Sequence, residues 1–185
     1  NHFAKKKNIF DISDISMPLV IPTVDIKSCK KYVFTNYIPD SNSSHIHYIN
    51  EGTIGQAVRA SSSFPAIFCP CNIKNHCFLD GGVLDNIPIQ EIKKQGAEYI
   101  IGLKFQEETI NHSSNLMDIV MKTIDIMGNE ISKASFPLCN VLLSIPIKKC
   151  SLLDINQLET CFISGYQCIM NSSKELKNIV KRSNS

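Results

Sequence analysis

Hydrophobic positions along the chain follow two periods, one close to two and one close to four, and they divide it into strands and helices. Met17–Ile26 is rich in β-branched residues, and Tyr32-Val33-Phe34-Thr35 follows it across the polar stretch Lys27–Lys31, which predicts a hairpin. After the polar loop Pro39–Ser44, Thr53–Ser63 has helical spacing with Ile54, Ala57, Val58 and Ser61 on one face, and Pro65 ends it. Cys77-Phe78-Leu79 reads as a short buried strand that breaks at Asp80-Gly81-Gly82, a turn calling for two residues without a Cβ. Pro88 suits a first helical turn, and Lys93-Lys94 followed by Gly96 suits a last one, so a short helix is predicted between them. Glu98–Phe105 and Asn140–Ile147 are further apolar strands. Between them, Leu116–Ile131 carries a helical stripe of Leu116, Ile119, Val120, Ile124, Met127 and Ile131. The last element, Ile155 to Val180, spaces Leu158, Phe162, Tyr166, Ile169, Leu176 and Val180 helically. Strands alternating with helices predict a layered α/β domain whose central sheet is largely parallel and flanked by helices.

Composition narrows the function. With 43% hydrophobic and 19% charged residues, the 185 residues suit one soluble globular domain with a real core. A formal charge of +2 shows no basic face for phosphates in the charge balance, so no nucleic-acid partner is expected. Every apolar run is broken well short of the roughly 18 residues a membrane span needs. Eight cysteines are too few for a disulfide-built scaffold and read as reduced, mostly buried thiols. Cys69, Cys71 and Cys77 with His76 invite a zinc reading, but nothing pairs with them downstream in the spacing of a structural zinc site. Small buried residues of a strand–loop–strand are the favoured alternative, and neither a metal nor another cofactor is expected. Lys5-Lys6-Lys7 is followed by Asn8–Asp14, with two acids where a signal peptide needs an apolar stretch. A cytoplasmic protein is therefore expected, with membrane contact no more than peripheral. The chain begins at Asn1, as though in mid-sequence, and is expected to be a fragment.

The strongest chemical signal is Asp80. An aspartate at the end of a buried strand, with two glycines behind it, is a carboxylate delivered to the rim of a sheet where a backbone can approach a ligand, a good place for a general base. The same pattern suits a turn cap in which Asp80 accepts from its own backbone, and the residues leave both readings open. Asp85, near the following helix start, is expected to affect stability slightly and the chemistry hardly at all. Ser61, Ser62 and Ser63 lack the flanking glycines of a nucleophile elbow and read as helix-end packing. His2, His45, His47, His76 and His112 show no Ser-His-Asp order and read as surface or loop residues, while Arg59 reads as cover for a helix face.

Taken together, several blocks resemble the patatin-like phospholipase family, particularly its compact bacterial members. Pro18–Ile26 resembles the family's strand before a turn, Ala57–Phe68 its Ala-x-x-x-x-Pro-x-x-Phe block, and Asp80-Gly81-Gly82 its Asp-Gly-Gly/Ala motif. Gly96–Gly102 resembles the strand that follows, and Gly165-Tyr166 a late helix glycine. The resemblance implies a patatin-like fold and a serine acyl hydrolase acting on a lipid or fatty-acyl ester through a Ser–Asp dyad, with no cofactor. Asp80 would be the dyad aspartate, with Gly81 and Gly82 shaping its turn. The family's Gly-x-Ser-x-Gly elbow and Gly-rich oxyanion loop are absent from residues 1–185, where the nearest glycine pair is Gly52 and Gly55. Residues 1–182 are accordingly expected to be the C-terminal part of one patatin-like domain, incomplete on its N-terminal side, with 183–185 a frayed tail. The alternatives are a degenerate, non-catalytic binding or regulatory module and a small Cys/His metal domain.

Overall fold

The computed structural model describes residues 9–40, 45–106, 116–147 and 155–183. Lys5–Lys7, His2, His112, Cys150 and the end of the expected frayed tail lie outside them. A 3-10 turn at Ile12–Asp14 precedes the predicted hairpin, β1 (Val20–Asp25) and β2 (Lys30–Thr35), and then β3 (Ile46–Ile49). Helix α1 (Ile54–Ser61) follows, then β4 (Cys71–Ile73), β5 (His76–Asp80), a 3-10 turn at Gly81–Val83 and α2 (Ile89–Lys94). Strand β6 (Ile101–Phe105), helix α3 (Leu116–Lys133) and strand β7 (Val141–Ile145) come next, and helices α4 (Leu158–Asn171) and α5 (Ser173–Ser183) close the series. Ser172 divides the last predicted helix in two.

The layered α/β class is as expected, whereas the strand directions differ from a largely parallel sheet. The main sheet has five strands in the order β3-β2-β1-β5-β4, and within it β1–β2, β1–β5 and β4–β5 are antiparallel while β2–β3 is parallel. A separate two-stranded sheet, β6–β7, is parallel. Connection length explains the split. The turn Ile26–Cys29 and the dipeptide Lys74-Asn75 can join only antiparallel neighbours, whereas α3 gives β6 and β7 the crossover a parallel pair needs.

The core lies between the main sheet and α1. Phe34 and Phe78 meet edge to face at 5.6 Å between ring centroids, and Ile12, Ala57 and Ala60 complete the buried cluster. Helix α1 starts on a capping box: Thr53 Oγ1 accepts from the Gln56 N–H at 3.2 Å, and the Gln56 side chain accepts from the Thr53 N–H at 3.1 Å. Ala57 and Ala60 form the buried face, small enough to let the helix settle on β1 and β5, and Val58 points outward instead of sharing it.

Beyond this core the apolar pattern and the burial part company. Leu116, Ile119, Met127 and Ile131 of α3 are exposed, Leu116 to 78%, as are Leu158, Phe162 and Tyr166 of α4 and Ile101, Leu103 and Phe105 of β6. Among the described residues no helix is long and apolar enough to cross a membrane.

Candidate functional site

Asp80 is the last residue of β5, opposite Thr23 of β1, in the interior of the main sheet. Three contacts fix its backbone. The Asp80 N–H donates to the Ser63 carbonyl at 3.1 Å, tying the strand end to the residue just beyond α1. Thr23 Oγ1 donates to the Leu79 carbonyl at 2.6 Å. Ser61 Oγ donates to the Pro22 carbonyl at 2.7 Å, and that carbonyl presses on Gly81 so closely that a Cβ there would stand 2.3 Å from its oxygen. Gly81 is therefore a glycine because β1 passes where a side chain would be.

The carboxylate itself is half-buried. Oδ1 accepts from the Gly82 N–H at 2.7 Å, the turn-capping bond anticipated for it, and Oδ2 has no hydrogen bond among the described residues. Burial pushes the Asp80 carboxyl above the ordinary aspartate range, and the Gly82 N–H draws it only part of the way back. One oxygen thus orients the group while the other is left for a proton, so the cap and base readings are compatible. An open cleft of about 440 Å³ runs between Met17–Val20 and Ile92–Ala97, and Asp80 is not among its walls.

Behind the turn lies an ionic network that sequence reasoning missed. Lys31 Nζ contacts Asp85 Oδ2 at 2.8 Å and Glu91 Oε1 at 3.0 Å. Glu91 also takes Lys94 Nζ at 3.1 Å and accepts from the Tyr48 hydroxyl at 2.7 Å, and its own side chain is 1% exposed. Burial works against every charge here, but the partners outweigh it, holding Lys31 above and Glu91 below their ordinary ranges. Burial and the Glu91 carboxylate push the Tyr48 phenol well up. Asp85 anchors the far end of the Asp80 turn to β2. The available signal was Lys31 itself, a charge on a strand otherwise running into the core, with acids at 85 and 91 to meet it.

His47, His76 and the three serines have structural roles. His76 is on β5, not in a loop, with Nδ1 3.0 Å from Asp25 Oδ2, and His47 is on β3, stacked on Tyr32 at 4.9 Å. Asp25 is buried and further accepts from the Cys77 N–H at 2.9 Å and Ser28 Oγ at 2.8 Å. Burial raises its pKa, but these bonds, His76 first, hold it far below the usual carboxylate range. This knot sits at the opposite end of β5 from Asp80, about 13 Å away at the usual rise per strand residue. His76 therefore does not serve Asp80. Ser61, Ser62 and Ser63 all donate to main-chain carbonyls, of Pro22, Val58 and Arg59 respectively. Arg59 does more than cover a helix face, since it bonds Ser63 and donates to the Cys69 carbonyl at 2.8 Å. Among the described residues no three His, Cys, Asp or Glu side chains are grouped to hold a metal ion.

Comparison with known proteins gives this geometry a context. Residues 6–93 match the family of patatin-like phospholipases, a stretch that takes in β1 through β5, the Asp80 turn and most of α2. The chain is similar to lysophospholipase NTE1 of Meyerozyma guilliermondii, with 46% identity over 46 residues, 25% of this chain and 3% of that protein. The Scheffersomyces stipitis protein of the same name gives the same figures. The similarity to lysophospholipase NTE1 of Candida albicans is longer, at 27% identity over 109 residues, 59% of this chain and 8% of that protein. The chain therefore spans a small fraction of these relatives. The expected likeness to compact bacterial members is not what these three relatives show.

Proposed function

We propose, from the match of residues 6–93 to patatin-like phospholipases, that this chain is the aspartate-bearing part of a lipid acyl hydrolase and that Asp80 is its general base. The observation that carries the proposal is the state of the Asp80 carboxyl: held through Oδ1, open at Oδ2 and made more basic by burial. The nucleophilic serine and the oxyanion donors come from residues of the full-length protein outside 1–185, where a Gly-x-Ser-x-Gly elbow is expected. Residues 1–182 are the C-terminal part of that one domain. Two observations favour this arrangement, namely the small fraction of each relative that the chain spans and the uncovered apolar faces of β6, α3 and α4.

In the first step Asp80 Oδ2 accepts the serine proton as Oγ attacks the ester carbonyl. The tetrahedral intermediate carries its charge on the former carbonyl oxygen, which backbone N–H groups stabilise by roughly 3–4 kcal/mol per donor. Collapse breaks the C–O bond, and Asp80 returns the proton to the leaving alcohol. Water then hydrolyses the acyl-enzyme by the same exchange. The substrate class, suggested by the names of the relatives, is a lysophospholipid drawn from the membrane surface. Replacing Asp80 by Asn in the full-length protein keeps an acceptor for Gly82 and removes the base. Lysophospholipid hydrolysis should then fall by roughly 10²–10⁴-fold, and an unchanged rate would refute the role of Asp80.

A further inference from the structure

Helix α3 reaches the Asp80 turn through a residue with no side chain. Gly128 and Ser132 are the buried residues described on α3, one turn apart on one face, and Ser132 Oγ donates to the Gly128 carbonyl at 2.9 Å. A Cβ built on Gly128 would stand 2.5 Å from the Gly82 carbonyl oxygen, a separation no real contact tolerates. Beside it, Asn86 Nδ2 donates to Asn129 Oδ1 at 3.2 Å, a second tie between the helix and the chain just past the turn. The residue that α3 presses upon is the one whose N–H holds Asp80 Oδ1 at 2.7 Å.

The choice of face matters. A helix in a globular protein ordinarily docks through its apolar stripe. Here Leu116, Ile119, Met127 and Ile131 face outward, and the contact with the turn is made by Gly128 and Asn129. The seat of α3 on the turn is therefore set by close backbone approach and polar ties at Gly82 and Asn86.

We infer that Gly128 is a positioning residue: by letting the α3 backbone rest on the Gly82 carbonyl, it fixes the place of the residue whose N–H, in the preceding peptide, orients the Asp80 carboxylate for proton transfer. The inference rests on the reading of Asp80 as the base. An added methyl must push Gly82 away from α3, and a displacement near 1 Å around a reacting group typically costs about 100-fold in rate. The disturbed group would be the Gly82 N–H, the one interaction that draws the Asp80 carboxyl downward.

The test is the pH dependence of lysophospholipid hydrolysis by the full-length protein carrying Gly128→Ala, Asn129→Ala, Gly165→Ala or Asp80→Asn. Gly128→Ala should lower kcat by about 100-fold with KM unchanged, and should move the acid limb of kcat/KM to higher pH because the carboxyl loses its Gly82 partner. Asn129→Ala should shift both quantities in the same directions by less, and it decides the matter if Gly128→Ala does not fold. Gly165 lies within α4 with open space where its Cβ would be, so Gly165→Ala should leave both unchanged. A wild-type kcat and acid limb in Gly128→Ala, or in Asn129→Ala if only that variant folds, would overturn the positioning role. So would an equal loss in Gly165→Ala. Asp80→Asn separates the two levels: if it is inactive beside a normal Gly128→Ala, only the positioning role falls, whereas if it is active the base assignment falls and the positioning role with it.

Discussion

Asp80 and Asp85 close the same turn and are held by opposite means. Asp80 has one neutral N–H donor and an unshared oxygen, whereas Asp85 is fastened to a half-buried lysine that also serves Glu91. Removing the lysine strands Glu91 with fewer compensating charges, so Lys31→Met should destabilise the fold by about 3 kcal/mol, as expected for breaking a buried pair. Asp85→Asn should cost less, roughly 1–2 kcal/mol, because Lys31 keeps Glu91. Urea unfolding of the two variants checks the order, and equal, negligible losses would show the network to be ornamental. The Asp80 turn was legible from Asp-Gly-Gly alone because glycine announces close backbone approach in any context. Its anchorage was not, since Lys31, Asp85 and Glu91 are distant in sequence and meet only once β2 and α2 are in place.

Among the elements, β5 joins the two polar centres. Its first residue, His76, binds Asp25 and so pins the β1–β2 turn, and its last is Asp80. Because the Asp25 pKa is depressed in the folded state, its stabilisation is complete above the ordinary aspartate pKa of about 4 and is lost as pH falls through the lower, folded value. Asp25→Asn should therefore destabilise the protein by about 2 kcal/mol near neutrality, with the difference shrinking in strong acid. A pH-independent difference between the two melting curves would contradict this. Strands and helices themselves were readable from periodicity, as the hairpin of β1 and β2 and the helix of Thr53–Ser61 illustrate. Strand direction was not, because the decisive features were the shortness of Lys74-Asn75 and of the Ile26–Cys29 turn. The stripe on α3 predicted a helix correctly but not its buried face, which is made of Gly128 and Ser132.

At the scale of the whole molecule, the proposed arrangement has the exposed apolar faces of β6, α3 and α4 covered by the rest of the full-length protein. Residues 1–185 alone should bind a hydrophobic dye and unfold over a broad temperature range, and a sharp cooperative transition would count against residues 1–182 being part of a larger domain. Within the full-length protein the burial that makes Asp80 basic also makes its charge unfavourable. Its folded pKa lies above its unfolded one, so the stability it contributes is present below the unfolded pKa and is lost as pH rises through the folded pKa. A neutral amide escapes that loss. The most direct test is to measure, on full-length wild type and Asp80→Asn at neutral pH, both the rate of lysophospholipid hydrolysis and the thermal midpoint. A general base held against its own burial predicts a rate lower by roughly 10²–10⁴-fold together with a midpoint equal to or above that of wild type. An Asp80→Asn protein that hydrolyses at the wild-type rate and melts at a lower temperature would show that Asp80 does no more than cap its turn.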